Sequence, residues 1–202
     1  MCNRQFLNLI LVGLFLSATT STFSQVAPEA TQGGVPLVVG GGISDFDLDW
    51  GYGRRMEGIS AWVDWDLDRL PGLLRGLGIE VEGHDINLNR PPSLIKMRQD
   101  TGLGGITYHW RHFRSIDPYA KMMGGIGSID FPPTSPKTRF YTHDTFDVFA
   151  PGGGVEYRAW RQVWVRGEYE YQFWLHTFGP HDLNPQGFTI GASYHFLHSG
   201  RH

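Results

Sequence analysis

The segment Val163–Trp174, with the sequence VWVRGEYEYQFW, decides the fold class. Its odd-numbered positions are apolar, aromatic or glycine, whereas its even-numbered positions include Arg166, Glu168 and Glu170. Successive side chains of a β-strand point to opposite faces, so the segment predicts a strand with one apolar and one charged face. Such a strand fits either a soluble barrel with its apolar face inside or a membrane barrel with its apolar face outside.

The same alternation recurs along most of the chain. In one segment Ile79 and Val81 alternate with Glu80 and Glu82. No segment sustains the period of a helix, and turn residues separate the segments. Counting eight such segments, we predict an all-β chain folded as an eight-stranded antiparallel up-and-down β-barrel.

The first residues have the layout of a secretory signal peptide. Arg4 precedes an apolar stretch of about ten residues, too short to span a bilayer, and small hydroxyl residues follow. We therefore divide the chain into a signal peptide at 1–24, a short polar lead-in at 25–34, a barrel at 35–196 and a C-terminal tail at 197–202.

Composition narrows the possible functions. The net charge of -3 argues against a nucleic-acid-binding protein, which would normally be basic. Cys2 is the single cysteine and lies in the predicted signal peptide, so the exported chain is expected to lack disulfides and thiol nucleophiles. No later run of about 18 apolar residues is present, so a membrane-spanning form of this chain would be a closed barrel.

Aromatic residues and connection lengths favour the membrane barrel. Membrane barrels place tryptophan at both interfaces. The tryptophans predicted to lie near strand ends are Trp50, Trp62, Trp65, Trp110, Trp160, Trp164 and Trp174. Connections after the second, fourth and sixth strands are generally shorter than the others, which is typical of short periplasmic turns alternating with long outer loops. We therefore predict a transmembrane barrel with both termini in the periplasm.

These features resemble the small outer-membrane β-barrel proteins related to the OmpA-like transmembrane domain and the opacity-type surface proteins. The resemblance covers about Val35 to Phe196 and includes a last strand that ends in an aromatic residue, FTIGASYHF, followed here by LHSGRH. It implies a location in the outer membrane of a Gram-negative-type bacterium, contact with outer-membrane lipid and insertion by the barrel-assembly machinery. It also implies that Tyr194 and Phe196 form the assembly signal.

An eight-stranded barrel is just wide enough for side chains to fill its interior. The charged residues expected to form a network in this lumen are Glu80, Glu82, Arg111, Lys121, Glu156, Arg158, Arg166, Glu168 and Glu170. We expect acids and bases to balance roughly, because buried charges require partners. The charges of the seventh strand are expected to pair with those of the sixth and eighth strands, with Lys121 reaching them from the fifth. The result is a polar plug or, alternatively, a narrow ion path.

No catalytic, cofactor-binding or metal site is predicted. An acyl-transfer reaction would need a nucleophile and a histidine on one face of a strand. Ser193 and His195 share a face, but it is the inward face near the periplasmic end, away from an outer-leaflet substrate. The histidines of the long outer loops give only a weak signal for a metal ion.

The predicted function is a structural or surface-interaction role for a monomeric, non-enzymatic outer-membrane barrel whose extracellular ligand is unknown. A narrow porin-like channel is the first alternative. A soluble periplasmic barrel that binds a small ligand is the second.

Overall fold

A computed structural model describes residues 37–49, 55–67, 70–89, 98–111, 115–131, 142–178 and 181–196 of the 202-residue chain. These residues belong to one compact unit, Val35–His202. The predicted signal peptide, polar lead-in and C-terminal tail lie outside the described residues, so their boundaries stay predictions.

The strands form one closed antiparallel sheet. They are β1 (Leu37–Asp47), β2 (Arg55–Asp66), β3 (Leu77–Asn89), β4 (Arg98–His109), β5 (Ile116–Phe131), β6 (Thr142–Arg158), β7 (Val163–Tyr171), β8 (Phe173–Phe178), β9 (His181–Leu183) and β10 (Gln186–His195). β7 and β8 both pair with β6 and are separated by Gln172, so they form one strand of the barrel. β9 and β10 also continue each other, since they pair with β8 and β7.

Pairing of β1 with β10 closes the sheet. The predicted eight-stranded antiparallel barrel is confirmed. The connection between β2 and β3 contains a single 3₁₀ turn, Gly72–Gly76. Within the described part of the chain, no helix has the length and apolar character needed to cross a membrane.

The two faces of β7 are reversed relative to a strand of a water-soluble protein. On β7, Arg166, Glu168 and Glu170 are buried, whereas Val163 and Val165 are 38% and 43% exposed. The charged face therefore points into the barrel and the apolar face points out, as expected for a barrel surrounded by lipid. A soluble barrel would bury the apolar face instead.

The outer surface is banded from one end of the barrel to the other. Its exposed apolar belt includes Val39, Ile43, Ile59, Val63, Val81, Ile106, Met122, Ile126, Val165 and Ile190. The end with the β2–β3, β4–β5 and β6–β7 connections, called here the short-turn end, carries exposed aromatic residues: Trp65, Trp110, Tyr157, Trp160, Tyr194 and Phe196. Aromatic side chains at this level suit a membrane interface.

Charged side chains border the belt at the opposite end, called here the loop end. Arg55 Nε lies 3.2 Å from Asp45 Oδ1. The Arg98 guanidinium lies 2.9 Å from Asp100 and 3.2 Å from Asp85. Since these pairs are half exposed, they mark the edge of the apolar belt more than they stabilise the fold.

The seven tryptophans were expected near the rims as aromatic residues of the membrane interface; Trp50 lies outside the described residues, and three of the other six face the interior instead. Trp62, Trp164 and Trp174 are buried inside the barrel, because they occupy the inward parity of their strands. Glycines make room for Trp62 and Trp174. A Cβ at Gly40 would lie 2.3 Å from the Trp62 ring, and one at Gly127 would lie 2.5 Å from the Trp174 ring. The interior thus accommodates indoles where two neighbours lack side chains.

Candidate functional site: the barrel lumen

Six charged side chains meet at mid-height of the lumen and are called here the lumen charge cluster. They are Glu80 and Glu82 from β3, Lys121 from β5, and Arg166, Glu168 and Glu170 from β7. All six belong to the predicted network, and each is at least nine-tenths buried. They meet because alternation turns them inward and closure of the barrel sets β3 opposite β7.

Lys121 lies at the centre of the lumen charge cluster. Its Nζ donates to both oxygens of Glu82, at 2.6 and 2.7 Å, and to Glu168 Oε1 at 2.7 Å. Glu170 Oε2 lies 2.7 Å from the same nitrogen, and Glu80 Oε1 lies 3.8 Å away. A single ammonium group thus contacts acids from two facing strands.

Arg166 pairs with an acid on the far side of the barrel. Its Nη1 and Nη2 donate to the two oxygens of Glu80 at 2.7 and 2.9 Å, and its Nε donates to Glu168 at 3.0 Å. The guanidinium carbon lies 4.6 Å from the ring centroid of Trp62 and 4.6 Å from that of Tyr119. Bidentate pairing and two aromatic faces fix the guanidinium in place.

Carboxylates outnumber permanent cations in the lumen charge cluster. Four glutamates surround Lys121 and Arg166, so the acids exceed the bases by two. The rough balance was expected over all nine predicted residues, and it does not hold within these six. An unbalanced buried group of charges attracts further positive charge, such as protons or bound cations.

An apolar group fills the lumen towards the loop end and is called here the apolar cap. It consists of Phe46, Leu48, Met56, Ile86, Leu103, Met123, Ile129, Val148, Ala150, Trp174 and Leu183. Between this cap and the charges, Gln172 accepts hydrogen bonds from Gln99 at 3.0 Å and Trp174 at 2.8 Å. Sequence reasoning missed the apolar cap, although the inward parity of Phe46 in DFDLDW was a signal for it.

A separate ion-pair group lies towards the short-turn end. His109 Nε2 lies 3.1 Å from Asp64 Oδ2, and its Nδ1 lies 3.4 Å from Asp117 Oδ2. Arg111 contacts Asp66 and lies 3.8 Å from Asp117. Arg111, predicted to join the network, therefore belongs to a second level of charges, and the structure does not place it in the lumen charge cluster.

The remaining predicted network members lie on β6. Glu156 Oε2 is 3.6 Å from His195 Nε2, and Ser193 Oγ donates to Glu156 Oε1 at 3.5 Å. Arg158 donates to the carbonyl oxygen of Arg161 at 3.0 Å, at the short-turn rim. Arg158 is thus not brought into the lumen charge cluster, because the last residue of β6 has already left the interior.

The two residues of the predicted assembly signal lie at the short-turn end. The Tyr194 hydroxyl donates to Gln162 at 2.7 Å, and the Phe196 ring packs against the Tyr194 ring with centroids 5.0 Å apart. Both side chains face outward and are more than two-fifths exposed. Their role in assembly stays a prediction.

Comparison with known proteins agrees with this architecture. The sequence model of the family described as outer membrane protein beta-barrel domain matches residues 12–196. Neisserial surface protein A superposes with a TM-score of 0.57 at 11% identity, over 81% of this chain and 98% of that chain. Ail, the attachment invasion locus protein of Yersinia pestis, superposes with a TM-score of 0.53 at 16% identity, over 80% of this chain and 97% of that chain. At these identities the similarity establishes the fold. No curated protein sequence matches.

Proposed function

The chain belongs to the outer membrane protein β-barrel domain family, and we propose that it is a non-enzymatic barrel with a closed lumen that presents its outer loops at the cell surface. It is located in the outer membrane of a Gram-negative-type bacterium. The soluble periplasmic alternative is wrong, because that protein would expose the entire apolar belt to water.

The ion pairs that Lys121 and Arg166 each form with glutamates carry the proposal of a closed lumen. Each cation is held by carboxylates from β3 and β7, so the pairs bridge the barrel from side to side. An ion passing this level would have to separate several charge-assisted hydrogen bonds in a dry environment. The apolar cap adds a second barrier, because an apolar constriction excludes water.

The polar side chains of the short-turn end support a non-enzymatic role. Ser193 donates its hydroxyl hydrogen bond to Glu156 rather than to His195. An activated serine would need its hydroxyl against a histidine nitrogen. The arrangement around Glu156 therefore fits interior packing of the barrel better than nucleophilic catalysis.

The architecture also supports a surface role for a monomer. Along the described residues, each of the eight barrel strands pairs with both of its neighbours, which supports a barrel without a free sheet edge for a second copy to join. Two structurally similar proteins are named a surface protein and an attachment invasion locus protein. We extend the surface location, but no ligand, to this chain. Outer-membrane lipid and the barrel-assembly machinery are its proposed partners.

One observation favours a narrow channel as the second candidate function. The lumen charge cluster has more acids than permanent cations, which would draw cations into a continuous water path. In this alternative, thermal separation of the Lys121 and Arg166 pairs would open brief, cation-selective events.

Planar-bilayer recording of the purified barrel separates the two functions. The closed-lumen proposal expects a small or flickering conductance from the wild-type protein. A large and steady conductance would contradict it and support the channel.

For the surface role, an epitope inserted in the connection between β5 and β6 should be labelled on intact cells. Labelling only after the cells are broken would contradict that role.

A further inference from the structure

His84 is a buried polar side chain without hydrogen bonds. It lies on β3 beside the lumen charge cluster and is 4% exposed. Neither Nδ1 nor Nε2 has a hydrogen-bond partner among the described residues. Buried polar groups in native proteins are almost always satisfied, so an imidazole with two unused nitrogens indicates an unfilled interaction.

Two carboxylates accompany this imidazole. His84 Nε2 lies 3.6 Å from Glu82 Oε2. One ligand atom from each of Glu82, His84 and Glu170 lies within 4.8 Å of the others. Glu170 Oε2 makes no hydrogen bond, although it forms an ion pair with Lys121. Three potential ligands from two facing strands therefore converge on one point.

The spacing suits a metal ion better than a hydrogen bond. A separation of 3.6 Å is too long for a nitrogen–oxygen hydrogen bond. Two ligand atoms that bind one tetrahedral ion at about 2.0–2.2 Å lie roughly 3.4 Å apart. The distance between His84 Nε2 and Glu82 Oε2 is close to that value.

We propose that Glu82, His84 and Glu170 form a binding site for a divalent metal ion inside the lumen. An imidazole with two carboxylates suits zinc and neighbouring transition metals, whereas calcium and magnesium prefer oxygen ligands alone. A divalent ion would also add positive charge to a cluster that has two more carboxyl groups than permanent cations.

Neighbouring residues orient the three ligands. Gln172 Nε2 donates to Glu170 Oε1 at 2.7 Å, so Oε2, which lies 2.7 Å from Lys121 Nζ, is the oxygen that would bind the ion. The Phe46 ring packs edge-on against the His84 ring with centroids 5.4 Å apart and fixes its plane. Such outer contacts hold ligands in position for a metal. Lys121 keeps its contact with Glu168 when the ion takes a share of Glu82 and Glu170.

The group around His109 is a useful contrast within the same lumen. Asp64, Asp66 and His109 also come within ligand distance of one another. There, however, His109 already contacts Asp64 at 3.1 Å, and Arg111 contacts Asp66. Glu82 and Glu170 also contact a cation, Lys121, so the two groups differ in the imidazole. Neither nitrogen of His84 has a hydrogen-bond partner in the described part of the chain, whereas His109 Nε2 is bonded to Asp64, so the argument for an ion applies to the His84 site.

The test measures bound zinc. The full-length barrel is refolded in detergent with or without ZnCl₂, freed of unbound metal by gel filtration, and analysed by elemental mass spectrometry. H84Q and E170Q remove one ligand each, and H195Q is the control, since His195 pairs with Glu156 away from the site. Different gel mobility of boiled and unboiled samples shows that each variant is folded.

We expect wild type and H195Q to retain about one equivalent of zinc more than H84Q and E170Q. H84Q and E170Q should bind zinc at least about tenfold more weakly than wild type. X-ray absorption of the zinc-loaded barrel should show one imidazole and oxygen ligands. Equal zinc contents in all four proteins would mean adventitious binding by other histidines and would overturn the proposal. A wild type that retains no zinc would overturn it as well and leave a proton on His84 as the compensating charge. If H84Q does not fold, E170Q alone decides the result.

Discussion

Arg166 on β7 crosses the lumen to Glu80 on β3, 86 positions earlier in the chain, and forms two hydrogen bonds of 2.7 and 2.9 Å with its carboxylate. This pair joins strands on opposite sides of the barrel. The partners of Arg166 were expected on the sixth and eighth predicted strands, which are β6 and β10 of the structure and lie next to β7. Because β3 and β7 do not touch each other through their backbones, the side chains themselves span the interior at this level.

Removal of the Arg166 guanidinium should destabilise the barrel and open it. R166A leaves Glu80 buried without its main partner, a loss of about 3 to 5 kcal/mol in the free energy of unfolding for a fully buried pair. It also creates volume in the lumen, so conductance in planar bilayers should rise. R158A is the control, since Arg158 bonds to a backbone carbonyl at the rim. Unchanged stability and conductance in R166A would refute the plug.

The lipid-facing position of Ile190 predicts sensitivity to charge. Ile190 is 63% exposed within the apolar belt. I190R should lower the free energy of unfolding by about 2 to 4 kcal/mol, measured by urea titration in lipid vesicles. Q186R, on the same strand near the loop end, should cost about 0 to 1 kcal/mol. Equal losses in both variants would show that the belt is misplaced.

Substitution of the inward residue Gln172 should destabilise the barrel more than the sequence alone suggests. Sequence reasoning expects arginine to be tolerated better at inward Gln172 than at an outward site. In the structure, Gln172 is fully buried and bonded to Gln99, Glu170 and Trp174. Q172R should therefore destabilise at least as much as I190R, because it buries a further charge and breaks this network. Near-normal stability of Q172R in urea titration would contradict the placement of Gln172.

The apolar cap should behave like the core of a soluble protein. F46A removes a fully buried ring and should cost about 3 to 5 kcal/mol in the free energy of unfolding. F188A, whose phenylalanine is 57% exposed on the outer surface, should cost clearly less. Urea titration of both variants is the measurement. A larger loss for F188A would mean that the loop-end half of the lumen is loosely packed.

The glycines beside Trp62 should not tolerate a methyl group. A Cβ at Gly40 would lie 2.3 Å from the indole, so G40A should cost about 1 to 3 kcal/mol through overpacking. G102A is the matched control, since a Cβ at Gly102 meets nothing within 4 Å. The difference in urea midpoint between the two variants tests the packing. A G40A protein as stable as G102A would show that the indole can move aside.

The alternation of residues was enough to predict the strands, their faces and the barrel. A strand has a period of two, so the inward and outward sets of β7 could be assigned from sequence order alone. The six members of the lumen charge cluster were predicted for the same reason. Trp164 and Trp174, which were expected at the membrane interface, also lie on the inward parity. A strict use of that rule would have placed them inside.

What the sequence by itself determined is therefore which side of the sheet each residue occupies. Only the tertiary structure decided which inward residues meet, because strand tilt and stagger set the height of each side chain in the closed barrel. Glu80 and Arg166 came together by this route, whereas Arg158, equally charged and of inward parity, ended at the rim. Parity is a local property of the backbone, but contact across the lumen depends on the geometry of all the strands at once.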